Sequence, residues 1–147
     1  MKAHILIDYE VIQKRLEKLN QYVGLLEKLS EQPLNRVLTD PFVRGNVERY
    51  LQLAIQVSLD IGNHILAEIQ TRAPEEYRDI FILLGENKVL PVELAEKMAQ
   101  LAGLRNILVH DYLEIDLNRI YEFLKTDLSD FREFAKYISK YSFSKEK

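Results

Sequence analysis

The chain has 147 residues, 47% of them hydrophobic, with five glycines, four prolines and a formal charge of -3. That balance suits one well-packed, helix-rich domain over residues 1–147 and argues against disorder. The absence of cysteine excludes disulfides, zinc–thiolate sites and thiol nucleophiles, and the negative charge removes the broad cationic field that holds proteins on nucleic acid regardless of sequence, so any RNA contact must be local.

The opening Met1–Asp8 is too short an apolar run for a signal peptide, and no stretch approaches the roughly 18 apolar residues of a membrane span, so a cytoplasmic protein is expected. From Ile5 and Leu6 through Ile12, Leu16, Leu19 and Val23 to Leu29, apolar residues step by three and four, which predicts a first helix. Ser30 to Thr39 contains Pro33 and several cap-forming residues, and no helix is expected there. Asp40-Pro41 then supplies an N-cap and a proline at the first helical position. The second helix should run to about Gln70, roughly 45 Å at 1.5 Å per residue, weakened slightly by Gly45 and Gly62. It carries one apolar stripe from Val47 through Ile55 and Ile61 to Ile69, and a second formed by Tyr50, Leu53, Val57, Asp60 and His64. Two stripes on one helix need more partners than a small bundle supplies, which suggests self-association.

Thr71 to Pro74 breaks the pattern. Glu75 to Leu84 reads as a short helix closed by Gly85 at a C-terminal cap, with Glu75, Glu76 and Asp79 on a solvated face. Pro91 opens another helix, whose Leu94, Met98, Leu101, Leu104 and Leu108 face inward. Asp116 caps a final helix running from Leu117 to Ile138, with a frayed end from Lys140 to Lys147. No segment alternates with period two. The expected fold is all-α: an antiparallel four-helix bundle with one additional short helix.

Arg105-Asn106-Ile107-Leu108-Val109-His110-Asp111-Tyr112 sets strongly polar groups into an otherwise apolar helix. A buried cation is costly unless it is paired or used. Arginine presents a planar fork of donors that suits phosphate oxygens, and imidazole exchanges protons near neutral pH. An arginine could therefore hold a phosphodiester while a histidine takes a proton from a ribose 2′-hydroxyl or gives one to the departing 5′-oxygen; Asn106 could orient either. On an ideal helix Arg105 and His110 stand about 140° apart, so their convergence needs a distortion, a helix end, a long reach or a second subunit. A two-fold dimer would bring an arginine and a histidine from each copy to one cleft. The structural alternative is that Arg105 pairs with a carboxylate such as Asp60 and that His110 merely ends a helix. Asp60 and His64, four apart, either line the same cleft or form a buried pair. No histidine pair has zinc-site spacing, and His4 stands alone, so neither metal nor cofactor is expected.

The order Arg105, Asn106, three apolar residues, His110, one residue and Tyr112 resembles the Arg-x-x-x-x-His-x-Tyr signature of HepT-like proteins, a branch of the HEPN superfamily. Asn46 to Gln56 and Leu59 to Ile65 resemble that family's second helix, and Leu90-Pro91 and Tyr112 to Tyr121 fit as well. The resemblance implies a dimeric HEPN-like bundle and a metal-independent endoribonuclease with Arg105 and His110 as catalytic residues and Asn106 as the polar residue beside them. It further implies the toxin of a HepT/MntA-type pair, neutralised when an MntA-like nucleotidyltransferase antitoxin transfers AMP from ATP to Tyr112. AMP there would put phosphate where substrate phosphate must bind. The alternative from a different class is a non-catalytic helical module that partners a minimal nucleotidyltransferase.

Overall fold

A computed structural model of the chain describes residues 9–110 and 115–146. The expected start of the first helix at Ile5, and His4, lie outside the described residues. Within them the structure is all-helical, with seven helices: α1 (Tyr9–Leu29), α2 (Leu34–Thr39), α3 (Pro41–Leu66), α4 (Tyr77–Glu86), α5 (Val92–His110), α6 (Leu117–Thr126) and α7 (Ser129–Glu146). The four long helices and the short α4 are those read from the sequence; α2 and the break between α6 and α7 are additions.

α3 is the centre of the assembly, packing on α1, α2, α4 and α5, while α7 closes the far side against α1 and α5. Its inner stripe is fully buried at Val47, Leu51, Ile55, Ile61 and Ile65. The second stripe is only half-buried at Tyr50, Leu53, Val57 and His64, and Asp60 is exposed. α3 begins as its sequence demands: the Asp40 carboxylate accepts hydrogen bonds from the Phe42 and Val43 N–H groups at 2.9 and 3.4 Å. The Phe42 bond leads in holding the Asp40 carboxyl below its ordinary pKa, helped by Arg36 at 3.0 Å.

Five expectations need correction. The residues between α1 and α3 contain a helix of six residues, too short to print a periodicity, pinned through Val37 in the core. α3 ends at Leu66, before Gln70. The predicted single last helix is two, because the polar run Thr126-Asp127 ends α6 and Ser129 starts α7 around the buried Leu128. α6 then lies beside α2, where the Tyr121 hydroxyl donates to the Gln32 carbonyl at 2.8 Å, and α7 lies beside α1, where Arg132 pairs with Glu27 at 2.8 Å. α7 also stays helical to Glu146 instead of fraying from Lys140.

The fifth correction concerns Gly85. It does not terminate α4, which continues to Glu86 and hands the left-handed backbone position to Lys88 at φ 62°. Gly85 is small for packing: a Cβ there would lie 2.8 Å from the Ala95 Cβ on α5. Gly62 serves α3 and α4 in the same way, since a Cβ there would lie 2.5 Å from Ile80 Cγ2. These two close approaches draw α4 against both α3 and α5.

Candidate active site

The tight packing of α3, α4 and α5 surrounds Arg105. Its Nε donates to Gln56 Oε1 on α3 at 3.1 Å, and Gln56 Nε2 in turn donates to Asp60 Oδ1 at 3.2 Å. The guanidinium carbon lies 4.9 Å from the ring centroid of Tyr77, the first residue of α4. Its Nη1 donates to the neighbouring Asn106 Oδ1 at 3.4 Å. The charge is thus balanced without a direct ion pair: Asp60 polarises the Gln56 amide, the amide orients Nε, and the Tyr77 π face receives the cation. The direct Arg105–Asp60 pairing considered above is replaced by this relay. A guanidinium fixed through Nε keeps donors at its terminal nitrogens for a planar, bidentate anion.

His110 is the last residue of α5 and is exposed. The helix runs unbroken from Val92 to His110, so the separation of about 140° between Arg105 and His110 is retained. The distortion or early helix end that would bring them together within one chain is absent from α5. Tyr112 lies outside the described residues.

Beside the guanidinium opens a cleft of about 390 Å³ lined by Asn63, Pro74, Glu75, Glu76, Tyr77, Ile80 and Asn106. Of the two residues considered as cleft-lining, Asp60 is engaged by Gln56, and His64 is half-buried with its Nε2 lacking a hydrogen-bond partner; their neighbour Asn63 is the α3 residue that reaches the cleft. Asp79 is not simply solvated. Its Oδ2 accepts from the Glu75 and Glu76 N–H groups at 2.9 and 3.2 Å, bonds that hold its carboxyl below its ordinary pKa and fix the chain entering α4. Gln56 and Tyr77 were not singled out from the sequence. Gln56 sits one turn before Asp60, beside the second stripe, a placement that marks it only once α5 is known to pack there; Tyr77 carries no local signal.

The match to known proteins decides the family. Residues 12–138 fit the model of the family described as ribonuclease HepT-like. The chain belongs to the HepT-like ribonucleases. RNA cleavage is the enzymatic class that this membership gives it. A tRNA nuclease HepT from Aphanizomenon flos-aquae is 33% identical over 135 residues, covering 92% of each chain. An mRNA nuclease HepT from Shewanella oneidensis is 36% identical over 88 residues, 60% of this chain and 66% of that protein. Among solved structures, a tri-AMPylated Shewanella oneidensis HEPN toxin in complex with an MNT antitoxin superposes with a TM-score of 0.81 at 27% identity, over 88% of this chain and 97% of that one. The HepT-like bundle is therefore shared along nearly the whole chain.

Proposed function

We propose that this HepT-like chain is the toxin ribonuclease of a toxin–antitoxin pair, cleaving RNA as a homodimer and silenced by AMPylation of Tyr112 by a nucleotidyltransferase antitoxin. The observation that carries the reading is the guanidinium of Arg105, held at Nε by Gln56 and over the Tyr77 ring, with donors left at its terminal nitrogens. Such a group binds the scissile phosphodiester and takes up the charge that builds on its oxygens as the 2′-oxygen attacks. His110 from one subunit removes the 2′-hydroxyl proton while the second subunit's imidazole protonates the 5′-oxygen as the P–O5′ bond breaks, leaving a 2′,3′-cyclic phosphate. His110 is the one exposed histidine among the described residues, and its position well round the helix from Arg105 favours this division of acid and base between two copies. The half-buried second stripe of α3 offers apolar surface to the other copy.

AMP on Tyr112, two residues beyond His110, would place an anion in the phosphate's path. In cells lacking the antitoxin, induction of the natural chain is expected to arrest growth, while Arg105→Ala and His110→Ala should grow normally. Purified natural protein should yield cyclic-phosphate ends. Arrest by all three chains would reject the catalytic assignment, as would a failure of natural protein to cut varied RNAs at high concentration.

A further inference from the structure

We propose that the cleft beside Arg105 is a nucleobase subsite: it receives the base of the nucleotide whose phosphate rests on Arg105, and it favours bases whose edge bears an amino group over uracil. The inference rests on the RNA-cleaving reading and adds to it the residues that choose the cleavage site.

Reach is the first support. Tyr77 lines the cleft, and its ring centroid lies 4.9 Å from Arg105 Cζ, closer than one nucleotide of extended single strand. A base attached to the bound phosphate can therefore enter without displacing the phosphate. Form is the second. Tyr77 is 44% exposed, and an accessible aromatic residue is the usual platform for an unstacked base. The cleft's 390 Å³ falls in the range of about 300–1,000 Å³ typical of small-molecule sites, with Pro74 and Ile80 as its apolar part.

Charge is the third support and sets the preference. The lining holds Glu75 and Glu76, the carboxamides of Asn63 and Asn106, and no cation. Such a wall repels a second phosphate, so a base rather than backbone enters. Ionised carboxylates only accept hydrogen bonds. Guanine offers N1–H and an amino group side by side, and adenine and cytosine offer an amino group. Uracil offers one N–H between two carbonyl oxygens, which face the carboxylates unfavourably.

Short RNA substrates with a single cut site test the idea. The nucleotide on each side of the cut is replaced, one at a time, by an abasic unit or by uridine. With natural protein, removing the base at one flanking position is expected to lower kcat/KM about tenfold, the usual effect of losing one stacked base. Tyr77→Ala also removes the ring beneath Arg105, so it should slow cleavage of both substrates but lose about tenfold more on the base-bearing one than on the abasic one, whereas Tyr77→Phe should keep natural values. Uridine at that position should cost natural protein about tenfold, and Glu75→Gln with Glu76→Gln should narrow that penalty to about threefold. Equal losses by Tyr77→Ala on both substrates would show that the ring only orients Arg105 and would overturn the subsite. The same cycle read as Kd in His110→Ala protein needs no cleavage. A natural protein that never cuts RNA therefore counts against the nuclease reading alone, while a lack of coupling in Kd counts against the subsite.

Discussion

In the proposed nuclease the value of Arg105 lies in its neutral neighbour. Were a carboxylate bonded to Nε, part of the guanidinium charge would be spent before a phosphate arrived; the Gln56 amide fixes the geometry and leaves the charge intact. Replacing Gln56 by Leu should therefore lower kcat by about 10- to 100-fold through misplacement of the guanidinium, while the unfolding free energy changes by less than about 1 kcal/mol because the site is only half-buried. Single-turnover cleavage beside a denaturation curve checks both; an unchanged kcat would demote the relay to packing. Asp130 shows the opposite use of a carboxylate. It is buried near the start of α7, and that desolvation raises its pKa against the pull of Lys97 at 4.0 Å. A carboxyl whose folded pKa is raised adds stability below its unfolded value of about 3.9 and loses it as pH climbs through the folded value. Asp130→Asn should accordingly raise the denaturation midpoint at pH 7, with the gain shrinking toward pH 4. The Asp40 and Asp79 carboxyls, held low by backbone N–H donors, run the other way and lose their contribution as the solution becomes acid.

α4 is the element on which the site turns, since it brings Tyr77 to Arg105 and forms one wall of the cleft. Its distance from α3 is set at Gly62. Adding a methyl group there drives into Ile80 Cγ2 at 2.5 Å and Leu84 Cδ1 at 3.3 Å. Ile80 is β-branched and has little rotamer freedom with which to retreat. Gly62→Ala should cost about 1–3 kcal/mol as overpacking, despite alanine's better helix propensity. Urea unfolding will show it, and a stabilised variant would mean that the two helices separate freely. The local signals that survive folding were legible in the sequence: Asp40-Pro41 opens α3, and Asp116 opens α6 by accepting from Asn118 and Arg119 N–H at 3.1 and 3.3 Å. The motif helix was equally plain. Features that exist only between elements escaped. Gln56 and Arg105 are 49 positions apart, Gly85 looked like a cap because its role as a spacer against Ala95 leaves no mark along the chain, and the division of α6 from α7 follows from their docking on α2 and α1.

As a whole the molecule is acidic, with a formal charge of -3, and it presents carboxylates beside its candidate phosphate site. Its hold on RNA should come from a few contacts. Each neutralised phosphate of a single strand contributes about -0.7 to the slope of log K against log salt, so a dimer using two arginines should show a slope near about -1.4. Anisotropy titrations with His110→Ala protein measure it, and a slope steeper than about -4 would reveal a cationic track that the composition does not suggest. Weak general adhesion leaves the choice of substrate to the site itself. That site, finally, is assembled from three helices whose contributions are scattered from Gln56 to Arg105. A ribosome that has delivered only the first two-thirds of the polypeptide has not yet made Arg105, so the candidate site can assemble only after α5 has left the exit tunnel.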